Sequence, residues 1–576
     1  MRFLARSHRT TTLCIVAALA LAAPLPAAAP RDELLRFVPD DVGFCVVLQD
    51  LRVHAADLVA SPFVEQLRRS PLGAALQASN ELKQLDKVDK DLRQTLGVGF
   101  DELRDDLLGD AVVIAYQPGP PGKADKEQGL VLVRARTAEV LAGLVEKINA
   151  AQRKDGTLTD LQPCEYHDAT YFRRVEAKQT NYYYLRGPVF LFTGQEEVLR
   201  RAIDVDQKAA ADAEPALTRR LRQIGADRAA LALWLNPRAF DAILEDKTAK
   251  TEGAGVALQK KVMTYWKALD GVAAWVTLDT ELHFSLAEQV RTADLPPAAR
   301  KVLAGEAGPG ELWRYMPDDA LLACGGRFDA AALMELLQDF QPAEEGGAAA
   351  ANAVFGKDFL QDVLSHLGPD WGFCLTAPPA GAKEWLPQAL LAVRAAPGDE
   401  TAPADQALLS AVHAAAALTV LGHNHQAPKE PLRLKSATFH QQEIHYLSGD
   451  GVFPPGVQPA YALTNGWMTF ASSPEVIRRF AEASPKAAVA DGVSFPLLRA
   501  SLKAWRVYLK ERRDPLAAAL AEKNQMTVEE TRRRLDDLAG VLQFVDRLEI
   551  DCRTGPGLAV VTLTVRTAQP LKKTGG

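Results

Sequence analysis

The sequence predicts an α+β protein made of two tandem copies of one domain, each a largely antiparallel sheet with helices packed on one face. Three observations carry this reading. Two blocks recur at one fixed offset, strand-like runs are joined by short turns, and helical patterns lie between groups of strands.

The repeat comes first. Glu33 to Asp41 (ELLRFVPDD) matches Glu311 to Asp319 (ELWRYMPDD) with six identities in nine, at an offset of 278. Phe192 to Arg201 (FTGQEEVLRR) matches Phe470 to Arg479 (FASSPEVIRR) with five identities in ten, at the same offset. Between them, Leu130 to Ala135 matches Leu390 to Ala395, and Asp110 matches Asp370, both at an offset of 260. Two distant blocks with one offset point to a duplicated framework.

Each copy then reads in the same order. A Pro-Asp-Asp turn leads into a first strand, Gly43–Leu51 and Leu321–Gly326. Helical periodicity follows in copy one over Leu58–Leu76 and Phe100–Leu108. A hairpin of Ala111–Tyr116 with Gly129–Arg136 has a Pro/Gly loop, and Trp371–Thr376 with Ala389–Ala395 repeats it. A helix over Ala138–Ala151, strands around Tyr182–Phe192 and a helix from Glu196 come next. Strand pairs close the copies: Val272–Leu278 with Leu282–Ala287, and Leu548–Cys552 with Leu558–Val565. Short turns between successive strands require antiparallel pairing, and helices between strand groups make the class α+β. The expected organisation is a signal peptide over 1–29, copy one over 31–290, a Pro/Gly linker over 291–310, copy two over 311–570 and a disordered tail over 571–576. In the late helices, Asp514-Pro515 and the capping box opened by Thr527 are start signals.

At 576 residues the chain is too long for one ordinary core. Its 48% hydrophobic and 24% charged content is that of a globular protein, which excludes disorder, collagen and coiled coil as global descriptions. The net charge of −7 and pI near 5.9 give no general attraction to nucleic acid or anionic lipid. Arg2, Arg6 and Arg9 precede an apolar run from Leu13 to Ala23 and small residues to Ala29, the pattern of a secretory leader. No later segment reads as a membrane span; the Ala-rich stretch from Ala407 to Leu421 reads as a buried helix. The expected location is therefore outside the cytoplasm, periplasmic or secreted. Of the five remaining cysteines, Cys45, Cys324 and Cys374 lie in apolar strand-like runs and read as buried thiols, and none forms a C-x-x-C pair with another.

In its Pro-Asp-Asp strand opening and its architecture the chain resembles uncharacterised, internally duplicated exported proteins of bacterial domain-of-unknown-function type. That resemblance implies export and the α+β repeat. It implies no activity and no site residues.

Chemistry-bearing residues gather in few places. Five of ten histidines fall in one stretch: His413, His423, His425, His440 and His445. His423, His425, His440 and His445, with Glu443, are candidate ligands for a divalent transition metal, yet their spacing matches neither H-E-x-x-H nor H-x-x-E-H. Phe439–Leu447 alternates like one strand, which would turn His440 and His445 to opposite faces. The duplicated Asp40-Asp41 and Asp318-Asp319 fit turns after proline better than paired acid/base carboxylates or a calcium site. Arg200-Arg201, Arg478-Arg479, Arg219-Arg220 and Arg532–Arg534 fit solvated helix faces better than an anion site. Tyr182, Tyr183 and Tyr184 alternate across a sheet rather than forming a stacking platform. Dinucleotide, phosphate-loop and nucleophile-elbow patterns are all incomplete. The expected function is thus non-enzymatic: binding an unidentified protein or small-molecule partner in the cell envelope, with no cofactor and no nucleic acid. The alternatives are a metal-dependent enzyme using the histidine stretch, and a carrier of apolar ligands under a curved sheet.

Overall fold

The structure, a computed structural model, describes residues 29–572 except 208–213, 254, 305–307, 328, 341–365, 383, 397–403 and 487–493. The leader predicted over 1–29 falls outside these residues except for Ala29. The class is α+β, and all strands among the described residues join one 20-stranded antiparallel sheet.

Ten strands precede residue 291: β1 (Phe44–Gln49), β2 (Ala111–Gln117), β3 (Gln128–Arg134), β4 (Leu158–Tyr166), β5 (Ala169–Glu176), β6 (Thr180–Arg186), β7 (Val189–Thr193), β8 (Leu231–Leu235), β9 (Leu269–Leu278) and β10 (Leu282–Val290). Ten follow residue 321: β11 (Leu322–Arg327), β12 (Leu367–Thr376), β13 (Gln388–Ala395), β14 (Arg433–Phe439), β15 (Gln442–Ser448), β16 (Ala460–Thr464), β17 (Trp467–Ala471), β18 (Phe495–Ser501), β19 (Val545–Gly555) and β20 (Leu558–Thr567). From one edge the first half reads 4-5-6-7-3-2-1-8-9-10. From the other edge the second reads 14-15-16-17-13-12-11-18-19-20. The halves meet where β10 pairs with β20, from Leu282↔Val565 to Gln289↔Leu558.

Register and contacts recur at the offsets read from sequence. Val131 pairs with Phe192, and Leu391 with Phe470. Arg201 donates to Gln128, and Arg479 to Gln388. Arg200 lies over the Tyr166 ring, and Arg478, 278 residues on, over Phe439, an aromatic ring at a slightly different offset of 273. Glu33 pairs with Arg134, and Glu311 with Arg394. The Pro-Asp-Asp segments are turns closed by Val42 N–H to Pro39 and Ala320 N–H to Pro317. These arginines are therefore clamps on the sheet and on aromatic rings, not merely solvated faces.

Four expectations need correction. Helices pack on both faces of the sheet. The Pro30–Leu35 and Glu196–Gln207 helices bury Leu34, Leu35, Leu199 and Ile203 with Cys45, Val47, Val113 and Leu191 on one face. The Ala138–Lys154 helix meets the other face through Asn149, which donates to the Tyr183 hydroxyl, and the Ala404–Gln426 helix packs there on Tyr461 and Met468. Apolar residues at both parities give helices a surface to pack on at either face, and each face is covered over part of its length. Second, the Leu58–Leu76 pattern breaks into helices Leu51–Val59, Pro62–Arg68 and Pro71–Gln77. Ser61-Pro62 and Ser70-Pro71 each place a capping serine before a proline, and a proline lacks the N–H needed to continue a helix. Third, the 291–310 segment includes a helix, Pro297–Ala304, with Leu295, Ala298 and Ala299 buried. Likewise Leu571 is buried and Lys572 pairs with Asp57, so the tail is anchored to that point. Fourth, the Ala-rich stretch forms a 23-residue helix that is long and apolar enough to cross a membrane by length and composition, and only 6% of its apolar window is buried. Its outward side carries Leu418 and Leu421.

Candidate functional site: an open apolar strip on the sheet

Strand alternation sends Cys45, Val47, Ala273, Ala323 and Cys374 to the face covered by the Pro30–Leu35 and Glu196–Gln207 helices and their second-half neighbours. The opposite parity builds the other face. There one cross-strand row runs Val112, Leu48, Leu231, Val276, Phe284, Leu563, Ile550, Leu498, Cys324, Phe373 and Leu391, from β2 to β13. A second row runs Ile114, Val46, Leu233, Ala274, Leu286, Val561 and Cys552. At the usual spacing between strands the first row spans roughly 50 Å. Both rows are apolar throughout.

This strip is open to solvent. Leu231, Leu233, Phe284, Ile114 and Leu286 are exposed, as are Leu391 and Val561, at fractions from 37% for Val561 to 45% for Leu286. Between these exposed positions the rows carry half-buried side chains such as Leu563 and Ile550, with Val112 buried at the β2 end, so the exposed residues belong to one apolar patch and do not stand singly. Ala138–Lys154 by Tyr183 and Ala404–Gln426 by Tyr461 stand toward the ends of this face, and the helices between Leu502 and Leu542 pack on Leu375 at one margin of the strip.

The reverse side of the same central strands is polar. His283 Nδ1 lies 3.1 Å from Thr564 Oγ1, and Ser285 Oγ lies 2.9 Å from Thr562 Oγ1. Arg499 pairs with Glu549, which Arg547 and Arg566 also approach. Burial and the Glu549 charge push the Asp551 carboxyl above its ordinary range. Asp279, His283 and Thr564 resemble an acid–imidazole–hydroxyl series, but Asp279 lies 3.6 Å from the ring and the surrounding strand N–H groups are committed to the ladder. The arrangement offers no local donor pair for a developing oxyanion.

The predicted metal ligands are dispersed. His423 and His425 end the Ala404–Gln426 helix, with His423 Nε2 3.0 Å from the Glu430 carbonyl oxygen. Phe439–Leu447 is a hairpin rather than one strand, and His440 sits in its turn at φ 44°, 4.0 Å from Glu482. His445 is buried on β15, where it stacks on Tyr461 and meets the His413 ring at 4.8 Å. Among the described residues no group of three or more His, Cys, Asp or Glu side chains could hold a metal ion. Burial holds the His445 imidazole below its ordinary range, against the opposing pull of Glu443. Burial pushes the Cys45 and Cys374 thiols up to about 12, so both favour the unreactive thiol. Cys164, Cys324 and Cys552 are partly exposed. Tyr183 faces the Ala138–Lys154 helix and Tyr184 the opposite core, as alternation requires.

Sequence reasoning missed the strip. Its signal was present in segments such as Leu282-His283-Phe284-Ser285-Leu286, but alternation of that kind normally assigns the apolar set to a core. Comparison of the chain with protein-family models, curated proteins and solved structures gives no match.

Proposed function

We propose that the chain is an exported, non-enzymatic binding protein built from two copies of one domain, 31–290 and 311–570, and that its working surface is the apolar strip formed jointly by both copies. The repeated strand order and the paired clamps at Arg201–Gln128 and Arg479–Gln388 support the duplication. The Arg-rich, apolar N-terminal segment supports export to the periplasm or beyond, where the mature chain works.

The observation that carries the binding reading is the partly exposed apolar row through Leu231, Phe284, Leu563 and Leu391. Its backbone groups are already paired within the sheet, so recognition there rests on burial of apolar area and shape, with no directional bonds to offer. That suits a long apolar ligand, such as an alkyl chain, or an apolar partner segment. The test is a fluorescence titration of the purified mature chain with a long-chain alkyl probe. Saturable binding at micromolar probe is expected; no binding at any probe concentration below its own micelle formation refutes the reading.

A further inference from the structure

We infer that the second half of the sheet holds a separate site for a neutral, single-ring apolar molecule. A cavity of about 190 Å³ lies on the face opposite the strip, between the Glu311–Arg314 turn, the facing ends of β12 and β13, and the Pro474–Glu482 helix. Its walls include Leu312, Met316, Val476 and Phe480, all buried, with Cys374 beside them. Arg479 and Gln388, bonded to each other, are its principal polar lining. An apolar cavity of about 150 Å³ stays dry and takes up benzene or xenon, so this volume suits one ring with little to spare.

The first half shows what occupies the matching place there. The counterparts Leu34, Val38, Ala115 and Val198 belong to one buried cluster with Leu217, Leu221 and Ile224 of the Ala216–Ile224 helix. That helix also ties itself to the turn at Asp40, where Arg220 donates to the carbonyl oxygen at 3.1 Å. In the second half the contact at the corresponding turn comes from Lys486, 2.9 Å from Asp318 and 2.9 Å from the Met316 carbonyl oxygen. The connection there runs only from Glu482 to Phe495, against Gln207 to Leu231 in the first half. The same arginine–glutamine clamp thus borders a filled core in one half and a cavity in the other.

The probe is fluorobenzene, followed by ¹⁹F saturation-transfer NMR and by its effect on the melting temperature of the full chain. One saturable site is expected, with a melting temperature that rises with fluorobenzene concentration. Cys374→Met, which extends a side chain beside the cavity, and Ala483→Trp, at its rim, should each weaken binding at least tenfold. Ala115→Met, the first-half counterpart, and Leu286→Lys, on the open strip, should leave it within twofold, which separates this site from the strip. Should Cys374→Met fail to fold, Ala483→Trp, at a partly exposed position, remains decisive. Absence of saturable binding to the wild-type chain, or binding that survives Ala483→Trp unchanged, overturns the proposal.

Discussion

Replacing Leu286 by lysine separates the strip's role in binding from its role in folding. Leu286 lies near the middle of the sheet on β10, between Ala274 and Val561, and is 45% exposed in the free protein. Burying a leucine completely is worth about 1.5–3 kcal/mol, so covering the remaining fraction contributes about 1 kcal/mol to a bound apolar ligand, or roughly fivefold in affinity. A lysine forfeits that term and places an ammonium group beneath the ligand, where it must escape along its stem or lose hydration. The expected loss is roughly 10- to 100-fold in affinity for the alkyl probe. The folded state should lose only about 1 kcal/mol, because the lysine stem keeps much of the packing against Ala274 and Val561. Gln289→Lys, on the same strand but the opposite face, is the control and should change affinity less than twofold. Probe titration and urea unfolding on the three chains make the comparison. Equal affinity for Leu286→Lys and wild type, or equal losses in Leu286→Lys and Gln289→Lys, would refute the assignment of the strip as the binding surface.

Three further outcomes follow from the packing. Leu199→Ala and its counterpart Ile477→Ala, both fully buried, should each cost about 2–5 kcal/mol in urea unfolding, with Leu199 in the larger cluster; a cost below 1 kcal/mol at either site would mean that helix is not a core element. Because burial depresses the His445 pKa in the fold, the unfolded chain takes up the proton first, so stability should fall as pH drops below the ordinary value of 6.5 and level off below the folded pKa. His445→Phe, which keeps a ring against Tyr461 and His413, should flatten that part of the pH–melting curve, and a curve unchanged by the substitution would exclude His445 as its source. Ser61→Ala removes the hydroxyl that accepts from the Val64 N–H and should destabilise by about 1 kcal/mol, measured by chemical denaturation, whereas Ser61→Gly should cost only a few tenths of that scale.

Much of the local structure was legible from residue order. Alternation and turn chemistry gave the hairpins at 111–134 and 545–567, since each needs only neighbours in sequence. The helix at 138–154 carries its own cap, Thr137, and periodicity. The breaks at Ser61-Pro62 and Ser70-Pro71 were also written in the sequence and were overrun by the longer apolar period. The 433–448 hairpin was read as a strand through its middle because His440 and Gln441 turn the chain at positive φ without glycine. The candidate site was not legible at all. Leu231, Phe284, Leu563 and Leu391 come from four distant segments, and only the β10–β20 junction puts the two halves of the row in line.

The sequence by itself determined the α+β class, the matched offsets of 278 and 260, and most strand pairs, because backbone pairing and alternation are set by nearby residues. The tertiary structure alone decided which face of each strand would be covered. The apolar set in Leu282–Leu286 reads like a core face, yet His283 and Ser285 take the side toward Thr562 and Thr564 while Phe284 and Leu286 meet solvent. Coverage depends on where helices from remote parts of the chain come to rest. Those are long-range packing outcomes, and no local period records them.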